Sequence, residues 1–179
     1  MIGKKHLCLQ PNVESFYGKD FAEYCRILKE DGKCEFYTNL KSKDKLSPDT
    51  ENALSTINRA SRGVATTEKI IECSRDSNVC PYEVSILLAK NAKVIITDYQ
   101  YMFNTDIRNG FLKKINKELK DCIIIIDEAH NLPGRVKDLS SEYLSTIMLK
   151  RAITEAKKFK YDEIANMLEE LHAILEGYA

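Results

Sequence analysis

The sequence predicts an α/β chain, and three stretches carry that prediction. The first is Cys122-Ile-Ile-Ile-Ile-Asp127-Glu128-Ala-His130. Four consecutive β-branched apolar residues cannot alternate between faces, so they read as a strand buried on both sides, as in a parallel sheet under helices. The second is Lys93-Val-Ile-Ile-Thr97-Asp98, another β-branched run and a second expected buried strand. The third is the largely polar helical stretch from Asn104 to Lys120 that joins them. Strand, helix, strand is a β-α-β unit.

The remaining elements follow in chain order. From Met1 to Cys34 the pattern is short and broken by Pro11, Gly18 and Gly32, with one brief helix expected over Phe21 to Leu28. Ser47-Pro48-Asp49 reads as a helix start leading through Ala53, Leu54 and Ile57. Another helix is expected from Thr67 to Cys73. A third starts at Cys80-Pro81-Tyr82-Glu83, with Pro81 in the first helical position. Beyond Pro133-Gly134 the pattern is helical to the end. Ile164, Leu168, Leu171 and Leu175 form one stripe, and Leu144, Ile147 and Met148 begin another. Such stripes predict core contacts.

Composition limits the class. The chain has 179 residues, with 27 basic and 27 acidic side chains, so bulk charge gives no argument for nucleic acid. No apolar stretch approaches the ~18 residues of a membrane span, and Met1-Ile-Gly-Lys-Lys lacks a signal-peptide pattern. A soluble, cytoplasmic chain without a membrane partner is expected. Six cysteines in such a compartment argue against a disulfide framework and raise the question of metal.

The acidic pair after the isoleucines points to chemistry. Ligands of open α/β sheets bind beyond the carboxyl ends of the strands. An acidic pair there suits a Walker B site, with Asp127 orienting Mg²⁺ and Glu128 polarising the water that attacks a γ-phosphate. The plainer alternative is an acidic helix cap, favoured by the positive end of the helix dipole. No G-x-x-x-x-G-K-[ST] phosphate loop occurs in the sequence, which reads as an internal or amino-truncated piece of a larger protein.

Cys8, Cys25, Cys34, Cys73 and Cys80 precede the expected sheet, and Cys122 falls inside it as an expected small core residue. The spacing is wide and lacks the paired knuckles of zinc fingers, so by itself it is a weak metal signal. Four thiolates can hold either one Zn²⁺ or a [4Fe–4S] cube. A region this poor in long apolar patterns needs such a staple to fold.

Taken together, these motifs resemble the XPD-like iron–sulfur DNA helicases of superfamily two, a group with DinG-like and FancJ-like members, and the likeness leans towards archaeal XPD. Lys-Lys-His-Leu-Cys8, Gly18-Lys19-Asp20 with Cys25, Cys34-Glu-Phe-Tyr37 and Cys80-Pro-Tyr82 resemble the four cysteine segments of that family. Ala92-Lys-Val-Ile-Ile-Thr-Asp-Tyr99-Gln-Tyr101-Met and Asp127-Glu-Ala-His130-Asn131-Leu resemble its strand-and-turn and its helicase box. The resemblance implies part of a RecA-like P-loop motor domain with an inserted helical iron–sulfur domain and the start of a helical arch. Residues 1–90 would be the cluster domain, 91–135 motor domain, and 136–179 arch.

It further implies that Cys8, Cys25, Cys34 and Cys80 ligate a [4Fe–4S] cluster, leaving Cys73 without a clear place. Asp127 and Glu128 would serve Mg²⁺ and ATP, and His130 would couple nucleotide state to the DNA-binding elements. The activity implied is ATP-dependent 5′-to-3′ unwinding of duplex DNA in repair, with single-stranded or forked DNA and the rest of the motor as partners. Lys4 and Lys5 are candidate phosphate contacts and Tyr82 a candidate base stacker. Against these stand ordinary roles: solvated lysines, a packing tyrosine, His6 as a surface histidine, and structural roles for Tyr99 and Tyr101. Without a phosphate loop, this chain is expected not to hydrolyse ATP alone. The alternatives are a non-catalytic, metal-stapled nucleic-acid-binding module and, more weakly, a zinc-stapled scaffold.

Overall fold

The structure, a computed structural model, describes residues 1–42, 45–60, 64–141 and 144–178. It divides into two compact units, Met1–Arg135 and Val136–Ala179. The first opens with two 3-10 turns, Lys4–Leu7 and Val13–Ser15, then α1 (Gly18–Glu30) and the short α2 (Glu35–Thr38). α1 ends where Gly32 takes a left-handed φ of 66°, a conformation open to glycine at little cost. The amides of Lys33 and Cys34 then both donate to the Leu28 carbonyl, at 2.9 and 3.1 Å. That reversal brings Cys34 back against the helix bearing Cys25.

A two-residue antiparallel ladder follows, β1 (Lys41–Ser42) with β2 (Lys45–Leu46), and then α3 (Pro48–Ala60). Ser47 caps α3 by accepting from the Thr50 amide at 3.1 Å. Next come α4 (Thr67–Asp76), whose cap Thr66 accepts from the Lys69 amide, and α5 (Pro81–Asn91), with Pro81 in its first turn. α5 is largely apolar and packs into two clusters. Tyr82, Ile86 and Ala89 pack with Leu7, Tyr101 and Phe111. Val84 packs with Leu40, Ala53, Ile57, Ile70 and Cys73.

After α5 the structure departs from the expected sheet. Among the described residues the β1–β2 ladder is the only sheet. Residues 93–98 and 122–126 join no ladder, and Ile123 and Ile125 are 94 % and 90 % exposed. β-branched residues favour extended backbone, but burial needs strands and helices on either side, and the described residues supply none here. Cys122 is accordingly exposed, its thiol donating to the Glu118 carbonyl at 3.3 Å, rather than a core residue.

The connection between the two runs is helical, as α6 (Gln100–Phe103) and α7 (Thr105–Ile115). Asn104 caps α7 through its side-chain oxygen, which accepts from the Ile107 amide at 3.0 Å. α7 stops short of Lys120 because Asn116 turns left-handed at φ 55°. The amino terminus is tied in here: the Met1 ammonium donates to the Ile96 carbonyl, and the Tyr101 hydroxyl donates to the Ile2 carbonyl at 2.9 Å.

α8 (Leu132–Leu139) spans the division between the units. In the second unit, α9 (Thr146–Lys158) and α10 (Asp162–Gly177) form a helical hairpin, bridged by Lys150–Glu176 and Lys157–Glu169. The expected apolar stripes divide. Leu149, Ala156 and Ala165 are buried, whereas Ile147, Met148, Ile164 and Leu171 face outward. Two helices offer each other only one face, so the rest of each stripe stays open. No helix among the described residues is long and apolar enough to cross a membrane.

Candidate functional site

Cys8, Cys25, Cys34 and Cys80 line one cavity of about 20 Å³ in the first unit. Each arrives from a different segment. Cys8 ends the first 3-10 turn, Cys25 lies within α1, Cys34 precedes α2, and Cys80 precedes α5. Burial pushes the Cys80 thiol up to about 11, while the amides of Glu83 and Tyr82 and the Lys29 charge pull it back. Burial also raises the Cys8 thiol, helped by the neighbouring charges of Cys25 and Cys34 and opposed by the Gln10 amide. Cys73 lies elsewhere, 4 % exposed in the apolar cluster with Ile57 and Ile70. Its role in the structure is packing.

An all-thiol donor set in a largely apolar cavity suits zinc or an iron–sulfur cluster. Among the described residues no three His, Cys, Asp or Glu side chains are gathered tightly enough to hold one metal ion. A single zinc needs its thiolates converged at about 2.3 Å, whereas a cube gives each thiolate its own iron. Four cysteines lining one cavity supply the donor type that both groups use.

Side chains that the cysteine spacing did not single out bind these segments to one another. The Lys29 ammonium lies 2.5 Å from a Glu83 carboxylate oxygen and 3.8 Å from the centre of the Tyr37 ring. Gln10 donates to the Cys34 sulfur at 3.7 Å. A signal was present: Lys29 follows Cys25 by one helical turn, and Glu83 follows Cys80 likewise.

The nucleic-acid candidates are occupied otherwise. The Lys5 ammonium donates to the carbonyls of Glu14 and Phe16, at 3.0 and 2.6 Å, bracing that loop. Tyr82 is only 8 % exposed, with the ammonium groups of Lys4 and Lys114 at 5.5 and 4.9 Å from its ring centre. Placed so, the ring is largely covered. Lys4 itself lines the cysteine cavity.

The acidic pair is presented at a turn. The Tyr99 hydroxyl donates to the carbonyls of Asp127 and Glu128, at 2.5 and 3.2 Å, so the ends of the two extended runs meet. Glu128 is left-handed, φ 49°, and its amide donates to its neighbour Asp127 at 3.0 Å. Neither carboxylate caps the helical turn that follows, so the helix-cap alternative has no hydrogen bond behind it. His130 stands 3.3 Å from Glu128, their side chains 73 % and 66 % exposed. Two open carboxylates at a turn can take a hydrated divalent cation.

Residues 1–149, which include the cavity and the acidic turn, match the DEAD_2 family. The chain belongs to the DEAD_2 family. Among its relatives is a regulator of telomere elongation helicase 1 homolog of Arabidopsis thaliana, 28 % identical over 87 % of this chain and 14 % of the relative. The ATP-dependent DNA helicase CHL1 of Eremothecium gossypii is 27 % identical over 83 % of this chain and 17 % of its own length. The general transcription and DNA repair factor IIH helicase subunit XPD/RAD3 of Saccharomyces cerevisiae is 26 % identical over 97 % of this chain and 24 % of its own. The DEAD_2 chain thus spans about a quarter or less of these relatives.

Proposed function

We propose that this DEAD_2 chain is the part of an ATP-dependent DNA helicase that joins a [4Fe–4S] module to the Mg-ATP carboxylates of the motor. The observation that carries the reading is that Cys8, Cys25, Cys34 and Cys80 all line one cavity, in the unit that also presents Asp127 and Glu128. The names of the relatives support the helicase class.

Asp127 orients the Mg²⁺ of Mg-ATP, Glu128 polarises the attacking water, and His130, close enough to pair with Glu128, relays nucleotide state to the DNA-binding elements. Tyr99 holds the backbone of the turn that carries both carboxylates. The four cysteines hold the cluster, whose iron–thiolate bonds tie their segments into one module. The polarity, 5′ to 3′, the role in repair, an XPD-like parentage of archaeal type and a helical arch over residues 136–179 rest on the motif resemblance. The lone 179-residue chain, without a phosphate loop in its sequence, is expected not to hydrolyse ATP.

The test is metal and sulfide content with a visible spectrum, on anaerobically purified chain. About four irons and four sulfides, with a broad band near ~400 nm, are expected. One zinc and no iron would replace this reading with a metal-stapled binding module.

A further inference from the structure

We infer that Lys29, Glu83 and Tyr37 form a clamp that positions three of the four cysteine segments around the cavity. The inference rests on the cluster reading above and adds the residues that hold the ligands in place. Lys29 is one helical turn after Cys25, so both side chains lie on the same side of α1. Glu83 is three residues after Cys80 in α5, and Tyr37 three after Cys34 in α2. One ammonium therefore meets a side chain from each of two other ligand-bearing segments, at 2.5 Å from the Glu83 oxygen and 3.8 Å from the Tyr37 ring centre. Gln10, two residues after Cys8, brings in the fourth segment through its 3.7 Å contact with the Cys34 sulfur.

Burial separates this ion pair from the others of the first unit. The Lys29 and Glu83 side chains are 18 % and 19 % exposed, whereas Arg26 and its partners Glu23 and Glu30 are all more than half exposed. Exposed pairs are weak, and water competes less for a pair this enclosed. The two partners lie 54 positions apart in sequence, so their contact fixes α1 against α5 rather than stiffening one helix. Electrostatics adds a second duty. Four thiolates on a cluster make the cavity anionic, and Glu83 would add another negative charge beside Cys80. Lys29, which lines the cavity, neutralises that carboxylate. Lys29→Met would leave an enclosed, unpaired carboxylate next to the thiolates, and would release Tyr37 as well.

The test follows cluster retention in the full 179-residue chain, reconstituted anaerobically, as visible absorbance lost to an iron chelator. Far-ultraviolet dichroism is recorded alongside. Outer contacts of metal sites commonly change affinity by about ten- to a hundredfold. Lys29→Met is expected to lose its iron about tenfold faster or more at unchanged helix content, and Lys29→Arg, which keeps the charge and can still lie on Tyr37, close to the wild-type rate. Loss from Lys29→Met at the wild-type rate overturns the clamp and leaves the cluster reading standing. Wild-type chain that takes up no iron overturns both. Should Lys29→Met fail to fold, Glu83→Gln and Tyr37→Leu decide the matter: faster loss from folded protein supports the clamp, and unchanged loss overturns it.

Discussion

The two candidate sites of the first unit are built in opposite ways. At the cavity, Cys34 is 8 % exposed, and its neighbours Lys29 and Glu83 are enclosed and paired. At the acidic turn, Glu128 and His130 stand mostly in solvent, after an isoleucine run that is nearly bare at Ile123 and Ile125. The cavity draws every wall from residues of one compact unit. The turn draws its backbone geometry from this chain, through Tyr99, but little of its surroundings. Mutations at the cavity should therefore act through stability and metal, and mutations at the turn through chemistry alone.

The largest effect expected is on chemistry. In a full-length protein containing this chain, Glu128→Gln should lower ATP hydrolysis by about 10²- to 10⁴-fold, the usual worth of a positioned acid or base. The same change in the 179-residue chain should leave its thermal unfolding within about 0.5 kcal/mol, as for other exposed substitutions. A marked loss of stability there would break the contrast.

A pair of serine substitutions sharpens the other side. Cys34→Ser should abolish stoichiometric iron binding, because it removes a thiolate at the cavity. Cys73→Ser should keep the iron and lower stability by about 1–3 kcal/mol, the cost of an unsatisfied hydroxyl in an apolar cluster. Equal iron loss from both would show that Cys73 serves the cavity. Chelation-resistant iron and chemical denaturation measure the two quantities.

The smallest effect concerns the seam that ties the amino terminus down. Burial raises the Tyr101 phenol from 10.0 to about 12, and its hydroxyl donates to the Ile2 carbonyl. The raised group is a neutral acid, so its contribution to stability is complete below pH 10 and is lost as the pH climbs towards 12. Tyr101→Phe should flatten that alkaline arm and cost about 1 kcal/mol at neutral pH. Denaturation midpoints between those two pH values test it.

Helices were the legible part of the sequence because their signals are local. Ser47 with Pro48, Asn104 and Pro81 mark helix starts by their own side chains, and all three act there in the structure. The isoleucine run was legible only in its backbone. Its extended conformation is intrinsic, but burial depends on what packs against it, and among the described residues Ile123 and Ile125 are exposed. Tyr82 shows the same limit in reverse, since adjacency to Cys80 could not reveal that α5 turns that ring into an apolar cluster. At the cavity, the cysteine order separated Cys73 poorly from Cys34, and only the reversal at Gly32 explains why Cys34 faces Cys25. The Lys29–Glu83 pair was readable from spacing within each helix, yet pairing α1 with α5 is a long-range fact.

Cys80 borders both apolar clusters, and its backbone amide donates to the Phe36 carbonyl at 2.8 Å. With a cluster in the cavity, that one residue joins the metal to the packing of the whole unit. Iron starvation or oxygen damage would then reach the cell's quality control as a loosened α5, open to proteases, much as a destabilising mutation would. A shift of only 1–2 kcal/mol can change abundance several-fold. The stability of this unit would then follow the iron of that cluster.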